Sequence, residues 1–176
     1  GDWSSDVCSS DLAAQELGLA LVQRGMMIAT AESCTGGMIA MALTEVAGSS
    51  AWFERGMVSY SNLAKSDLLA VPAELIEQHG AVSEEVALAM ALGALSASPR
   101  IQFSLSVTGI AGPSGGSPDK PVGTVVHGFA WRGTGTDEPM SHRVMRRHYS
   151  GERADVRLAT AHFALRQSLV LLQAAA

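Results

Sequence analysis

Apolar positions recur at helical spacing near both ends of the chain and cluster in short runs between them. Leu12, Leu17, Leu21 and Val22, with alanines between, predict an amphipathic helix from about residue 11, ended by Arg24 and Gly25. Residues 26–28 form a short apolar run that reads as a strand. Residues 29–37 then read as a strand-to-helix turn with Ser33 near the first helical residues. Residues 38–43 are apolar almost all round, which predicts a helix buried between other layers. A strand over 53–60 leads to Ser61 and Asn62, an N-cap signal for a short helix carrying Lys65, Leu68 and Leu69. Pro72 opens a second short helix that His79 and Gly80 close, and Ser83, Glu84 and Glu85 open a longer one through Leu95.

The remaining pattern is mostly strand. Residues 101–107 alternate and run into a glycine-rich loop over 108–116; strands follow at 122–131 and about 141–149, separated by the polar stretch 133–139. After Ser150 and Gly151, the stripe Leu158, Ala161, Leu165, Leu169 and Leu172 predicts a final helix. Helices spread along a chain of this kind imply a mixed sheet covered on both faces, a three-layer α/β/α single domain. Residues 1–12, GDWSSDVCSSDL, are rich in Ser and Asp without helical period and resemble translated adapter sequence, the alternative being a disordered native tail. They are set apart from a domain spanning 13–174.

Composition narrows the function classes. At 176 residues and 47% hydrophobic content, the chain has the size and apolar fraction of one globular domain. Its 12 basic and 17 acidic residues leave a net charge of −5, which disfavours a nucleic-acid partner. The one basic cluster, Arg143, Arg146, Arg147 and His148 followed by Arg153 and Arg157, suits a small phosphate better than a duplex. Cys8 and Cys34 provide neither a disulfide framework nor a zinc-ligand spacing, which points to a reducing cytoplasm. No apolar run reaches membrane-span length, so no membrane partner is expected.

The chemistry centres on AESCTGG, residues 31–37. A serine at a strand-to-helix turn lies among backbone N–H groups that can hold an anion, and Gly36 and Gly37 allow close approach; alternatively, Ser33 or Thr35 only caps the helix. Serine needs a base before it can attack. Lys65 serves if its amine is desolvated, with Tyr60 orienting it or relaying a proton; otherwise Lys65 lies on a solvated helix face. Cys34 is either a second nucleophile or a buried structural thiol. His127 and His162 read as packing or surface residues. The loop carrying Thr108, Gly109, Gly112, Gly115 and Gly116 either presents N–H donors to an anion or is a mobile surface loop, and it lacks the Walker pattern.

AESCTGG, the stretch AGSSAWFERGMVSYSNLAKSDLLAV over 47–71, HGAVSEE over 79–85, TGIAGPSGG with KPVGTV, and SGER over 150–153 closely resemble the CinA C-terminal family, in register from about Leu12 to Leu172. The resemblance implies hydrolysis of nicotinamide mononucleotide to nicotinate mononucleotide and ammonia, without metal or cofactor. It assigns nucleophile, base and neighbouring tyrosine to Ser33, Lys65 and Tyr60. Thr35, Gly36, Gly37, Thr108, Gly109 and Gly112 then line the substrate or its oxyanion. Arg153 and Arg157, helped by Gly115 and Gly116, hold the phosphate, unless those arginines pair with Glu152 or Asp155 or meet another subunit. It further implies homo-oligomers and a unit lacking the larger N-terminal domain of full-length CinA proteins. The competing expectations are a catalytically silent nucleotide-binding module and a Ser–Lys amidase for another substrate.

Overall fold

The structure is a computed structural model that describes residues 3–133 and 140–175, with side chains described from residue 9 onward. Its helices are α1 (Trp3–Arg24), α2 (Met38–Thr44), α3 (Asn62–Leu69), α4 (Ala73–His79), α5 (Glu84–Ser96) and α6 (Arg153–Ala174). The strands are β1 (Ile28–Glu32), β2 (Phe53–Val58), β3 (Phe103–Gly109), β4 (Thr124–Trp131) and β5 (Ser141–His148). They form one five-stranded sheet in the order β2-β1-β3-β4-β5. β1 is parallel to β2 and β3, while β3–β4 and β4–β5 are antiparallel. The sheet is mixed and covered on both faces, as the element order predicts.

Alternation along the central strands builds the two cores. Ile28, Phe103, Leu105, Val107 and Phe129 face α1, α2 and α6, against Leu17, Leu21, Ile39, Leu43, Leu165 and Leu169. The opposite face carries Ala29, Ala31 and Ala130 against Val86, Met90, Ala94 and Leu95 of α5, with Leu69 and Ile76 behind. The small residues on that face bring α5 down onto the sheet. Ser104 and Ser106 donate to the carbonyls of Ala91 and Ala87 at 2.7 and 2.6 Å, so the hydroxyls are satisfied in a dry layer. A Cβ at Gly128 would lie 2.5 Å from the Ala87 carbonyl oxygen, a collision with backbone.

Connectivity fixes where a ligand can enter. From β1 the chain crosses through α2 on one face to β2; from β2 it crosses through α3–α5 on the other face to β3, on the far side of β1. The two crossovers part at the carboxyl end of β1. In open α/β sheets such a switch point leaves a crevice beyond the strand ends.

Several expected boundaries shift. α1 begins at Trp3 rather than near residue 11. No Pro interrupts residues 3–24, and the one Gly, Gly18, lies where a Cβ would stand 2.7 Å from the Trp52 ring; extending a helix already anchored by buried Ala13, Ala14 and Leu17 costs little. β1 runs to Glu32, so residues 29–32 are strand rather than turn, and α2 starts only at Met38. α2 is half-covered: Ile39, Ala42 and Leu43 are buried, whereas Met41 is exposed. β3 includes Thr108 and Gly109, paired with Val126 and Val125, which draws both out of the expected loop. The polar stretch expected before β5 lies, for residues 134–139, outside the described residues.

Candidate active site

Ser33 directly follows β1 at that crevice. Its N–H donates to the Val107 carbonyl at 3.1 Å, prolonging the β1–β3 ladder by one residue and fixing where the side chain leaves the sheet. Residues 33–37 then turn tightly: Gly36 N–H donates to Ser33 O at 3.1 Å, and Gly36 and Gly37 adopt positive φ of 61° and 103°. Both glycines are therefore required by backbone conformation, which L side chains adopt only with strain.

The first turn of α2 is capped from an unexpected quarter. Gly37 occupies the N-cap without a side-chain bond, so neither Ser33 nor Thr35 caps the helix. The buried Glu32 carboxylate does so, accepting from Ile39 N–H at 2.8 Å, Ala40 N–H at 3.0 Å and the Thr35 hydroxyl at 2.6 Å. These are donors the sequence reading left free for a bound anion. A carboxylate at the positive end of the helix is stabilised by the dipole as well as by these bonds. Glu32 went unnoticed in the sequence; the available signal was an acid inside an otherwise buried strand, which must find partners.

Lys65 comes from α3, whose N-cap Ser61 accepts from Ala64 N–H at 3.0 Å. The solvated-face alternative fails, because Lys65 is only 1% exposed. Its Nζ lies 3.1 Å from Ser33 Oγ, 3.1 Å from the Ser59 carbonyl and 3.2 Å from the Tyr60 carbonyl. Burial pushes its ammonium below the ordinary 10.5, against a smaller upward pull from Cys34. Tyr60 thus orients the lysine through its carbonyl. Its ring is 61% exposed, and its phenol oxygen accepts from Arg153 Nη2 at 3.2 Å. Ser59, fully buried, contributes a main-chain acceptor that no side-chain pattern announces.

Around the pair opens a cleft of about 180 Å³, lined by Ser33, Cys34, Tyr60, Asn62, Lys65, Thr108, Gly109 and Arg153 together with Ala81, Val82 and Ala111. Thr108 donates to the Ala81 carbonyl at 2.8 Å, which ties its hydroxyl to the wall. Gly112 holds the rim differently: its carbonyl accepts from Arg153 Nη1 at 2.8 Å, and a Cβ there would meet Val122 at 2.4 Å. Gly115 and Gly116 are exposed and outside the cleft lining, so they offer no cradle there. Arg153 and Arg157 do not converge. Arg157 turns to the Ser33 loop, donating from Nε to Cys34 O at 3.0 Å and from Nη2 to Thr35 O at 3.1 Å. Neither arginine pairs with Glu152 or Asp155, which close a capping box on α6 instead.

The remaining chemistry-bearing groups are structural. Cys34 is 6% exposed among Ala111, Val125 and Val156, and burial pushes its thiol up to about 11. It stays protonated at neutral pH, as a structural cysteine would. His127 is fully buried, with Nε2 3.0 Å from the Tyr149 hydroxyl, and burial drives its imidazolium down to about 3. The basic residues of β5 stay away from the cleft; Arg147, for one, lies over the Phe163 ring at 4.7 Å. Among the described residues no group of three or more His, Cys, Asp or Glu could hold a metal ion, and no helix is long and apolar enough to cross a membrane. A larger cavity of about 1130 Å³ opens at the other end of the sheet, beside Met26, Gln102 and Trp131; it contains none of the residues around Ser33.

Fold and site together define a three-layer α/β/α domain that presents a serine hydroxyl and a buried lysine at the switch point of its sheet. The chain belongs to the CinA C-terminal domain family, whose model matches residues 10–172. It is 52% identical over 156 residues, 88% of this chain and 90% of the relative, to the protein of Enterobacter agglomerans named nicotinamide-nucleotide amidohydrolase PncC. The protein of that name in Escherichia coli (strain K12) is 50% identical over 151 residues, covering 86% of this chain and 87% of its own length. The crystal structure of competence/damage inducible protein CihA from Agrobacterium tumefaciens is 45% identical, with a TM-score of 0.84 over 94% of this chain and 96% of that one.

Proposed function

We propose that this chain is a nicotinamide-nucleotide amidohydrolase that releases ammonia from nicotinamide mononucleotide through Ser33 and Lys65. The family and the two amidohydrolase relatives support the reaction class. One observation carries the mechanism: Lys65 Nζ has two carbonyl partners and one hydroxyl partner. A neutral amine has two protons and one lone pair. With the protons on Ser59 O and Tyr60 O, the lone pair faces the Ser33 hydroxyl, which is the orientation of a general base.

The steps then balance. Lys65 takes the Ser33 proton as Oγ attacks the carboxamide carbon. Collapse of the tetrahedral adduct breaks the C–N bond, and Lys65 returns the proton to the departing amine, which leaves as ammonia. Water attacks the resulting Ser33 ester with Lys65 again as base; the C–Oγ bond breaks, Oγ regains a proton, and the nicotinate nucleotide departs. The oxyanion needs N–H donors, and that of Thr35 donates to no backbone carbonyl among the described residues. A cleft of about 180 Å³ suits the carboxamide-bearing ring, with the ribose and phosphate extending past Tyr60 to the exposed guanidinium of Arg153.

A cytoplasmic site of action and assembly into homo-oligomers complete the reading; light scattering on the purified protein tests the latter. The central test measures ammonia release from nicotinamide mononucleotide by the parent and by Ser33→Ala and Lys65→Ala. Turnover in the parent that both variants lose is the expected result. An inactive parent that still binds the nucleotide makes the chain a silent module, and turnover with other carboxamides alone makes it a different amidase.

A further inference from the structure

Arg157 is half-buried and, among the described residues, forms no ion pair. It donates to two main-chain carbonyls of the turn that carries Ser33: Cys34 O, reached by Nε at 3.0 Å, and Thr35 O, reached by Nη2 at 3.1 Å. We propose that Arg157 is a positioning residue for amide hydrolysis, holding the Ser33 turn in register with Lys65, and that it takes no part in binding the substrate phosphate.

The geometry gives the reason. Peptide units are planar and trans, so fixing the Cys34 and Thr35 carbonyls fixes the planes of the next two peptides and turns the Thr35 and Gly36 N–H groups to the opposite side. The guanidinium fork holds both carbonyls at once, which a single-point donor does not do. From the other side Glu32 holds the Thr35 hydroxyl and the start of α2. The turn is thus clamped between a carboxylate in β1 and a cation in α6, elements joined to it through the core. Gly36 lies against the same guanidinium, where a Cβ would make ordinary contact at 3.4 Å from Arg157 Nη2, and its positive φ is what requires glycine. The charge of Arg157 works against that of Glu32 across the turn: at the Cys34 thiol Arg157 favours the anion and Glu32 opposes it more strongly, so the clamp acts on geometry rather than on the net field. Arg153, one helical turn earlier, lines the cleft, whereas Arg157 does not. The division of labour follows: Arg153 meets substrate, Arg157 shapes the turn.

This inference rests on the reading of Ser33 as nucleophile, so its test separates the two. Steady-state ammonia release is measured for the parent, Arg157→Ala, Arg157→Lys and Arg153→Ala. The same proteins are treated with phenylmethanesulfonyl fluoride, which carries no phosphate, and sulfonylation of Ser33 is followed by mass spectrometry. Arg157→Ala is expected to lose about 100-fold in kcat with KM little changed, the usual consequence of misplacing a reacting group by about an ångström. Sulfonylation slows in parallel, and added ethylguanidinium restores part of both rates. If Arg157→Ala does not fold, Arg157→Lys, which keeps the charge but loses the fork, is read on the same two rates and falls below the parent in both. A raised KM with unchanged kcat and parental labelling of Ser33 overturns the proposal and returns Arg157 to the phosphate. Turnover that survives Ser33→Ala removes the nucleophile itself, and the role of Arg157 with it.

Discussion

Lys65 Nζ lies 3.1 Å from Ser33 Oγ, although 32 residues separate them and they reside on different elements. The carbonyls of Ser59 and Tyr60 hold the lysine in place. As Lys65 is the only base in contact with Ser33 among the described residues, Lys65→Ala should lower kcat about 100- to 10,000-fold, the range for a lost general base. Lys65→Arg should rescue nothing, since a guanidinium keeps its proton. Steady-state kinetics on nicotinamide mononucleotide check both.

The depressed Lys65 pKa has a direct kinetic consequence. The amine must be neutral in the free enzyme, so kcat/KM rises with pH through the folded-state pKa of Lys65, which lies below 10.5. A profile that is flat there, or that falls on the alkaline side in step with Lys65, would contradict a base role.

Stability is linked to the same group. Below its folded-state pKa, Lys65 is charged in both states and the cost of burying the charge is fully present. Between that pKa and 10.5 the unfolded chain binds more protons, so stability rises with pH. In Lys65→Met this rise should vanish; urea unfolding between neutral pH and about pH 10 measures the difference.

Cys34 stands beside the nucleophile yet should be unreactive. With its thiol pushed up to about 11, alkylation by iodoacetamide at neutral pH should be slow in the folded protein and fast in urea. Cys34→Ala should keep most turnover, and loss comparable to Ser33→Ala would reopen the thiol as the attacking group.

Glu32→Gln should destabilise the fold by about 1–3 kcal/mol, because charge-assisted bonds to Ile39 N–H, Ala40 N–H and the Thr35 hydroxyl are weakened in a buried setting. Urea denaturation reads the change.

Arg153→Ala should act on binding, raising KM about 10- to 100-fold through loss of a charge-assisted contact to phosphate while kcat changes less. The contrast with Arg157→Ala makes the pair diagnostic.

Local pattern alone determined much of this protein. Periodicity and caps placed α3, α4 and α5 through Ser61, Pro72 and Ser83, and the element order dictated a mixed sheet between helical layers. Ser33, Lys65 and Tyr60 were legible because separated motifs matched a family in register. Tertiary structure decided what each of them faces. Whether Lys65 was solvated or buried depended on how α3 packs against α5 so that the lysine reaches Ser33 beyond the end of β1, a long-range arrangement that no local spacing encodes. The sequence likewise set Arg153 and Arg157 one turn apart, yet a turn of α6 was enough to send one to the cleft rim and the other to the back of the Ser33 turn. Glu32 and the Ser59 carbonyl escaped notice for the same reason: their roles are hydrogen bonds to main-chain or side-chain atoms brought near only when the sheet and its crossovers close, and chain order does not reveal those distances.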